Sequence, residues 1–370
     1  MALPAEFELL LACCRWPPRP ARDEAVRAAA ERVDWERLAR MAARHRVEAL
    51  VHDGLRRAGV EPPAATAERL SFEATAVARR NLIEAAEALR LSGRLERAGL
   101  PHLFVKGVTL NLLAYGTLAL KHSRDIDLLV EPERYANACA ILQQDGYRCT
   151  YPGVEDLSAI LRYAATTKDS VWRSRDGVST VELHQRLTAN PMLLGSIGAR
   201  SPSQQVTIAP GISLPTLARD ELFAYLCVHG AVTAWSRLKW LADLAAFVSD
   251  EDEAGIERLY RRAVALAPGR SHAQALLLAK RLLGVPLGDE LAKELRSDRV
   301  NRFLAGSALA TMTQGGGVKE LDEQAFGTAR LNLSLLMLRQ GWRYKAAEVG
   351  RKLPYVPRAL RAAINAVRAS

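Results

Sequence analysis

"KHSRDIDLLV", Lys121 to Val130, decides how the chain is read. A charged loop runs into a short apolar strand, yet Asp125 and Asp127 fall where that strand begins to bury itself. Side chains alternate faces along a strand, so the two carboxylates point the same way, about 6 to 7 Å apart. Ile126 turns to the other side and "LLV" continues into a core. Like charges this close are costly to bury unless a cation compensates them. Hard oxygen donors select Mg²⁺ or Mn²⁺ for that role. An isolated Asp-x-Asp also fits two loop caps at a wet strand end, so its neighbours have to decide.

Upstream, "LPHLFVKG" is an apolar run of strand length ending at Lys106 and Gly107, and "VTLNLLAYG" follows as a short helix with Thr109 in its first turn. A glycine at that junction lets backbone N–H groups approach a phosphate, the helix N-terminus favours anions, and Lys106 adds a point charge. A plain turn glycine beside a solvated lysine is the alternative. Downstream, "STVELHQRL" puts Glu182 and His184 on one strand face by the same alternation. Glu182 is thus a candidate third carboxylate, and His184 a weaker candidate that also fits a hydrogen-bonded structural histidine.

The wider chain gives these pieces a setting. Up to about Gly99 the sequence is rich in Ala, Arg, Glu and Leu at helical spacing, as in "WERLARMAARHRVEALVHDGLRRAG". Strand, helix and hairpin patterns alternate between about 100 and 188, with a hairpin turn predicted at Asp176-Gly177. A polar connection is expected from about Thr188 to Pro215, and helical patterns then resume to the end, broken by a glycine loop at Gly315 to Gly317. The fold expected is α+β: a small mixed-sheet domain over 99–215, flanked by helical regions over 1–98 and 216–370. In the stretch "HGAVTAWSRLKWLADL", Lys239 and Asp243 are one helical turn apart and read as a surface ion pair.

Composition narrows the function classes. The 370 residues are 49% hydrophobic and 25% charged, ordinary values for a globular protein. A net charge of +10 suits nucleic acid, an acidic surface or polyphosphate ligands, and equally a diffuse surface excess. Five scattered cysteines without CxxC spacing suggest neither a disulfide framework nor a zinc site. The N-terminus lacks the pattern of a signal peptide, and no run of about 18 apolar residues predicts a membrane span, so a cytoplasmic location is expected. The basic C-terminal stretch from Arg343 fits a solvated amphipathic helix; nucleic acid as a partner has no further support, because no aromatic platform accompanies the charge.

Together, "VKGVTLNLLAYGTLALKHSRDIDLLV" and the later "VELHQRL" and "HGAVTAWSRLKWLADL" resemble the uncharacterised nucleotidyltransferases of the polymerase-β-like superfamily, over about 30–260. The chain has Val108 where the wider superfamily has a second Gly or Ser, and Lys121 where the group often has Arg. The resemblance implies transfer of a nucleoside monophosphate from an NTP to an unidentified acceptor, with release of pyrophosphate. It assigns metal binding and catalysis to Asp125, Asp127 and Glu182, and nucleotide contacts to Lys106, Gly107, Thr109 and Lys239, the last reaching over from a helical region. Two readings compete: a non-catalytic nucleotide-binding or regulatory module on the same fold, and a sugar-nucleotide glycosyltransferase that uses Asp-x-Asp for its metal. Which NTP is used, and the oligomeric state, are not encoded in any motif.

Overall fold

The described residues form seven strands: β1 (His102–Phe104), β2 (Ile126–Val130), β3 (Arg148–Tyr151), β4 (Asp169–Arg173), β5 (Thr180–His184), β6 (Ser203–Ala209) and β7 (Ile212–Leu217). They are seen in a computed structural model that describes residues 3–324 and 327–352. The first five form one sheet in the order β1-β2-β5-β4-β3. Only β2 and β5 run parallel; the other neighbours are antiparallel. A parallel pair cannot be joined by a tight turn. Here the connection holds two helices, Tyr135–Gln144 and Leu157–Ala164, together with β3 and β4. The architecture is mixed α/β with helical regions at both ends, as the sequence led us to expect.

The sheet separates two cores. Ile126, Leu128 and Val130 of β2 join Phe104, Trp172, Val181 and Leu183 on one face. That face is covered by the 34-residue helix Ala64–Arg97, through Ala85, Ala88, Leu91 and Leu95, and by the two crossover helices. Each such fully buried apolar side chain contributes about 1.5–3 kcal/mol. On the other face Leu103, Val105 and Leu129 enter a core shared by the N-terminal helices Ala5–Cys14, Trp35–His45 and Glu48–Ala58 and the later helices Arg219–Val232 and Leu238–Phe247. Sequence-distant helical regions therefore close over one end of the same sheet face.

The predicted hairpin at Asp176-Gly177 is present. Gly177 has φ 73°, which favours glycine, and the Asp176 carboxylate accepts from the Val178 N–H at 3.0 Å. Between Thr188 and Pro215, where a polar connection was expected, the chain instead forms the β6–β7 hairpin, turning at Pro210-Gly211. Only Val206 of β6 is fully buried, so the apolar alternation that marks a strand is nearly missing there. The five cysteines are buried and free. Among the described residues no helix is long and apolar enough to cross a membrane. Of the basic C-terminal stretch, the helix Trp342–Lys352 is described, and 353–370 lie outside the described residues.

Candidate functional site

The parallel pairing of β2 with β5 builds the site. It sets Asp127 beside Glu182 and Leu129 beside His184, on the sheet face opposite Leu128 and Leu183. One ligand atom each of Asp127, Glu182 and His184 lies within 4.8 Å of the others. The His184 Nε2 is 3.2 Å from Asp127 Oδ1 and 3.5 Å from Glu182 Oε2. Its Nδ1 is 3.6 Å from Asp169 Oδ2, because β4 sets Asp169 opposite His184. From the end of β1, the Lys106 ammonium reaches Asp127 Oδ1 at 2.8 Å.

These contacts polarise the acid pair. Burial disfavours the Asp127 carboxylate, but Lys106 and then His184 outweigh it and hold the group well below the usual carboxylate range. Burial also opposes ionisation of Glu182, and the His184 hydrogen bond overcomes it, so that carboxyl too is lowered. Burial and Lys168 work against a charged His184, yet Asp127 and Glu182 raise its pKa. Asp125 differs. It sits half-buried one residue before β2, where burial and then Asp127 push its pKa up to about 6. Of the three expected metal ligands, Asp127 and Glu182 are brought together, His184 takes the third place in the cluster, and Asp125 stands at its edge.

Asp125 and Asp127 share a narrow pocket with Lys106, Lys121, His229 and Lys239, with room of about 30 Å³. That is enough for a water or two. The pocket is roofed from the helices Arg219–Val232 and Leu238–Phe247, which explains why a residue as remote in sequence as Lys239 belongs to it. The Lys239 ammonium donates to the His122 carbonyl at 3.2 Å, and burial followed by Lys121 pushes its pKa down to about 7. His229 packs edge-on against Trp240, with ring centroids 5.7 Å apart, and burial keeps it neutral, far below the usual histidine range.

Gly107 adopts φ 62° and ψ −124°, a conformation closed to side-chain-bearing residues, and the helix Val108–Tyr115 starts directly after it. Thr109 does not present its hydroxyl to the pocket. It is fully buried and donates to the Phe104 and Lys106 carbonyls, at 2.9 and 3.0 Å, so it braces the turn from inside. Nor do Lys239 and Asp243 form the expected surface pair. Asp243 is 3% exposed, accepts from the Tyr115 hydroxyl at 3.0 Å and lies 4.0 Å from the Lys121 ammonium. Helical spacing brought the two residues near each other, and burial chose their partners.

Several groups at the site had no place in the sequence reading. Asp169 and Tyr225, the latter beside Lys106, become neighbours only through sheet and helix packing. Glu84 on the long helix is 3% exposed, and burial followed by Asp125 pushes its carboxyl up to about 8. Its signal was available: a carboxylate on the helix face that also carries Asn81, Ala85 and Ala88, all buried.

A sequence profile described as "Uncharacterised nucleotidyltransferase" matches residues 31–284, and the chain belongs to that family. No curated protein matches the chain.

Proposed function

Proceeding from that family membership, we propose that the chain transfers a nucleoside monophosphate from an NTP to an acceptor, releasing pyrophosphate in a metal-dependent reaction. The observation that carries this reading is the meeting of Asp127, Glu182 and His184 within 4.8 Å on two paired parallel strands. Two carboxylates that meet across paired strands, steadied by the imidazole between them, fit a small hard divalent cation such as Mg²⁺ or Mn²⁺. Asp127 and Glu182 would hold the ion, joined by Asp125 at the pocket edge. An ion held by these residues would supply charge neutralisation for the triphosphate and acidify the acceptor hydroxyl.

The chain's own groups supply the rest. Gly107 and the first N–H groups of the following helix orient the phosphate tail, and Lys106 neutralises its charge. To do so the Lys106 ammonium has to leave Asp127, with which it is paired in this structure. Lys239 approaches from the helical roof and fixes the substrate against the sheet. His184 holds Asp127 and Glu182 in register and is itself steadied by Asp169.

A second reading, a nucleotide-binding module without turnover, is favoured by the Lys106–Asp127 pair, which occupies the carboxylate that a metal would need. Calorimetric titration of the four NTPs with Mg²⁺, into the wild type and the Asp125→Asn, Asp127→Asn double variant, tests both. Metal-dependent binding confined to the wild type, with pyrophosphate released once an acceptor is supplied, is expected for the transferase. Binding without pyrophosphate release under any acceptor favours the module, and equal binding by the variant defeats the site.

A further inference from the structure

The helices Arg219–Val232 and Leu238–Phe247 roof the aspartate end of the carboxylate face, but the same face continues over two further strands. Cross-strand register sets Asp127 beside Glu182, Glu182 beside Val171 and Val171 beside Tyr151, so the four form one row across β2, β5, β4 and β3. The Lys106-Gly107 turn lies at the opposite end of this row, where the Val105 N–H donates to the Asp127 carbonyl at 3.1 Å. Cys149, Trp172 and Val181 alternate with the row and enter the apolar core behind it. Neighbouring strands are about 4.8 Å apart, so Tyr151 stands about 10 Å beyond Glu182. Here the face is open to solvent: Val171 is half-buried and Tyr151 is 51% exposed.

Two features of this open shelf point to a ligand. Arg148 and Arg173 are paired directly across β3 and β4, both exposed, and among the described residues neither has a carboxylate partner. Arg173 gives only its Nε to the Gly177 carbonyl, at 3.2 Å. Like charges set opposite each other destabilise a sheet, and guanidinium groups match phosphate oxygens. Next to the pair, Tyr151 borders a cleft of about 480 Å³ shared with Tyr163, Lys168 and Asp169, the two tyrosine rings meeting edge-on with centroids 5.2 Å apart. Asp169 also belongs to the acid cluster, through His184 Nδ1 at 3.6 Å, so the cleft adjoins the carboxylates. An exposed aromatic ring beside basic side chains is the combination that holds single-stranded nucleic acid, by stacking of bases and neutralisation of phosphates. Because β3 is the edge strand, a chain lying on the shelf can run off into solvent, which an enclosed pocket for a small molecule would not allow.

We propose that Tyr151, Arg148 and Arg173 form an acceptor platform that takes the 3′ end of a single-stranded nucleic acid, with a base stacked on Tyr151 and phosphates on the arginine pair. The role as acceptor rests on the nucleotidyl-transfer reading. In-line displacement needs the acceptor and the departing pyrophosphate on opposite sides of the transferred phosphorus. With the phosphate tail at the Lys106-Gly107 turn, the opposite side is that of Glu182, Val171 and Tyr151. The terminal 3′-hydroxyl oxygen bonds to the NTP α-phosphorus as the bond from that phosphorus to the α–β bridging oxygen breaks. Pyrophosphate leaves with the electron pair of that bond, and the hydroxyl proton passes to solvent.

The test is fluorescence anisotropy of a labelled RNA of about ten nucleotides and mixed sequence, with a free 3′-hydroxyl, titrated with the full chain at low salt without metal or NTP. Tyr151→Ala is expected to weaken binding about ten-fold and Tyr151→Phe to retain it. The Arg148→Gln, Arg173→Gln variant should flatten the slope of log affinity against log salt by about 1.4, as for two phosphate contacts on a single strand. All three side chains are exposed, and circular dichroism checks that the variants are folded. Unchanged affinity in Tyr151→Ala together with an unchanged salt slope in the arginine variant overturns the platform. Adenosine monophosphate that competes as tightly as the RNA binds overturns the assignment to a strand. In a repeat with saturating NTP and Mg²⁺, simultaneous binding supports the acceptor role and mutual exclusion overturns it. Failure of the transfer reading would show separately, as absence of metal-dependent NTP binding beside intact, Tyr151-dependent RNA binding.

Discussion

The two faces of the sheet are made by alternate residues of the same strands, and they are built to opposite ends. On one face Leu128, Val181, Leu183 and Trp172 are all fully buried among apolar neighbours. On the other, Asp127, Glu182, His184 and Asp169 form a chain of close contacts, with the Lys106 ammonium on Asp127 and the Lys168 ammonium on Asp169. The period of two that seals the first face delivers the acids to the second. On the proposed function one face serves stability and the other chemistry, and substitutions on each should separate these effects.

The sharpest separation is expected at Asp127. Asp127→Asn should lower transfer by about a thousand-fold, since the metal's several kcal/mol of charge stabilisation lose their central ligand. It also leaves Lys106 buried beside a neutral amide, which should cost about 3–5 kcal/mol of stability. Pyrophosphate release and urea denaturation of the same preparation measure the two losses. On the sealed face Trp172→Ala should cost about 3–5 kcal/mol through the cavity it leaves. The folded fraction should still bind NTP with wild-type affinity. If binding disappears in protein that circular dichroism shows to be folded, the two faces are not separable.

Gly107→Ala sharpens the comparison where β1 meets the site. A Cβ there would meet only the Asp125 carbonyl, at 3.5 Å, an ordinary contact. The difficulty is φ 62° with ψ −124°, and forcing alanine into it should cost about 1–3 kcal/mol. If the helix end after Gly107 receives the phosphates as proposed, NTP affinity should fall more than unfolding free energy does. Equal losses would make Gly107 a turn glycine and nothing more.

The same division governs what could be read from the sequence. Alternation over "DIDLLV" and "TVELH" was enough to place Asp127 and Glu182 on facing-out positions, and a glycine before a helix was enough to place the turn. His184 ranked low because its importance depends on β5 lying beside β2, a pairing between strands about fifty residues apart that no local pattern encodes. The β6–β7 hairpin was missed because its strands hardly alternate in burial. Local periodicity reports which way a side chain points, and tertiary packing decides what it meets.

The smallest effect expected is the one whose sign separates the two aspartates. In the folded, metal-free chain the Asp125 pKa is about 6 against an ordinary 3.8. A raised carboxyl binds more protons folded than unfolded, so its contribution to stability is present below pH 3.8 and is lost as pH rises to about 6. Asp125→Asn removes that loss. In EDTA the variant should match the wild type near pH 4 and be more stable by about 1 kcal/mol above pH 6, after allowance for the solvent that reaches this half-buried group. Asp127, held below its ordinary value, works the other way: its contribution is present above pH 3.8 and falls only at stronger acidity. Thermal melts from pH 4 to 8 read the Asp125 slope, and melts carried below pH 4 read that of Asp127. A destabilised Asp125→Asn at pH 7 would mean that Asp125 is satisfied by the cations around it, Lys106 and Lys239 foremost, and is not strained by Asp127. Added Mg²⁺ should reverse the order, stabilising the wild type more than the variant, because the ion would turn the repelling pair of carboxylates into a shared site.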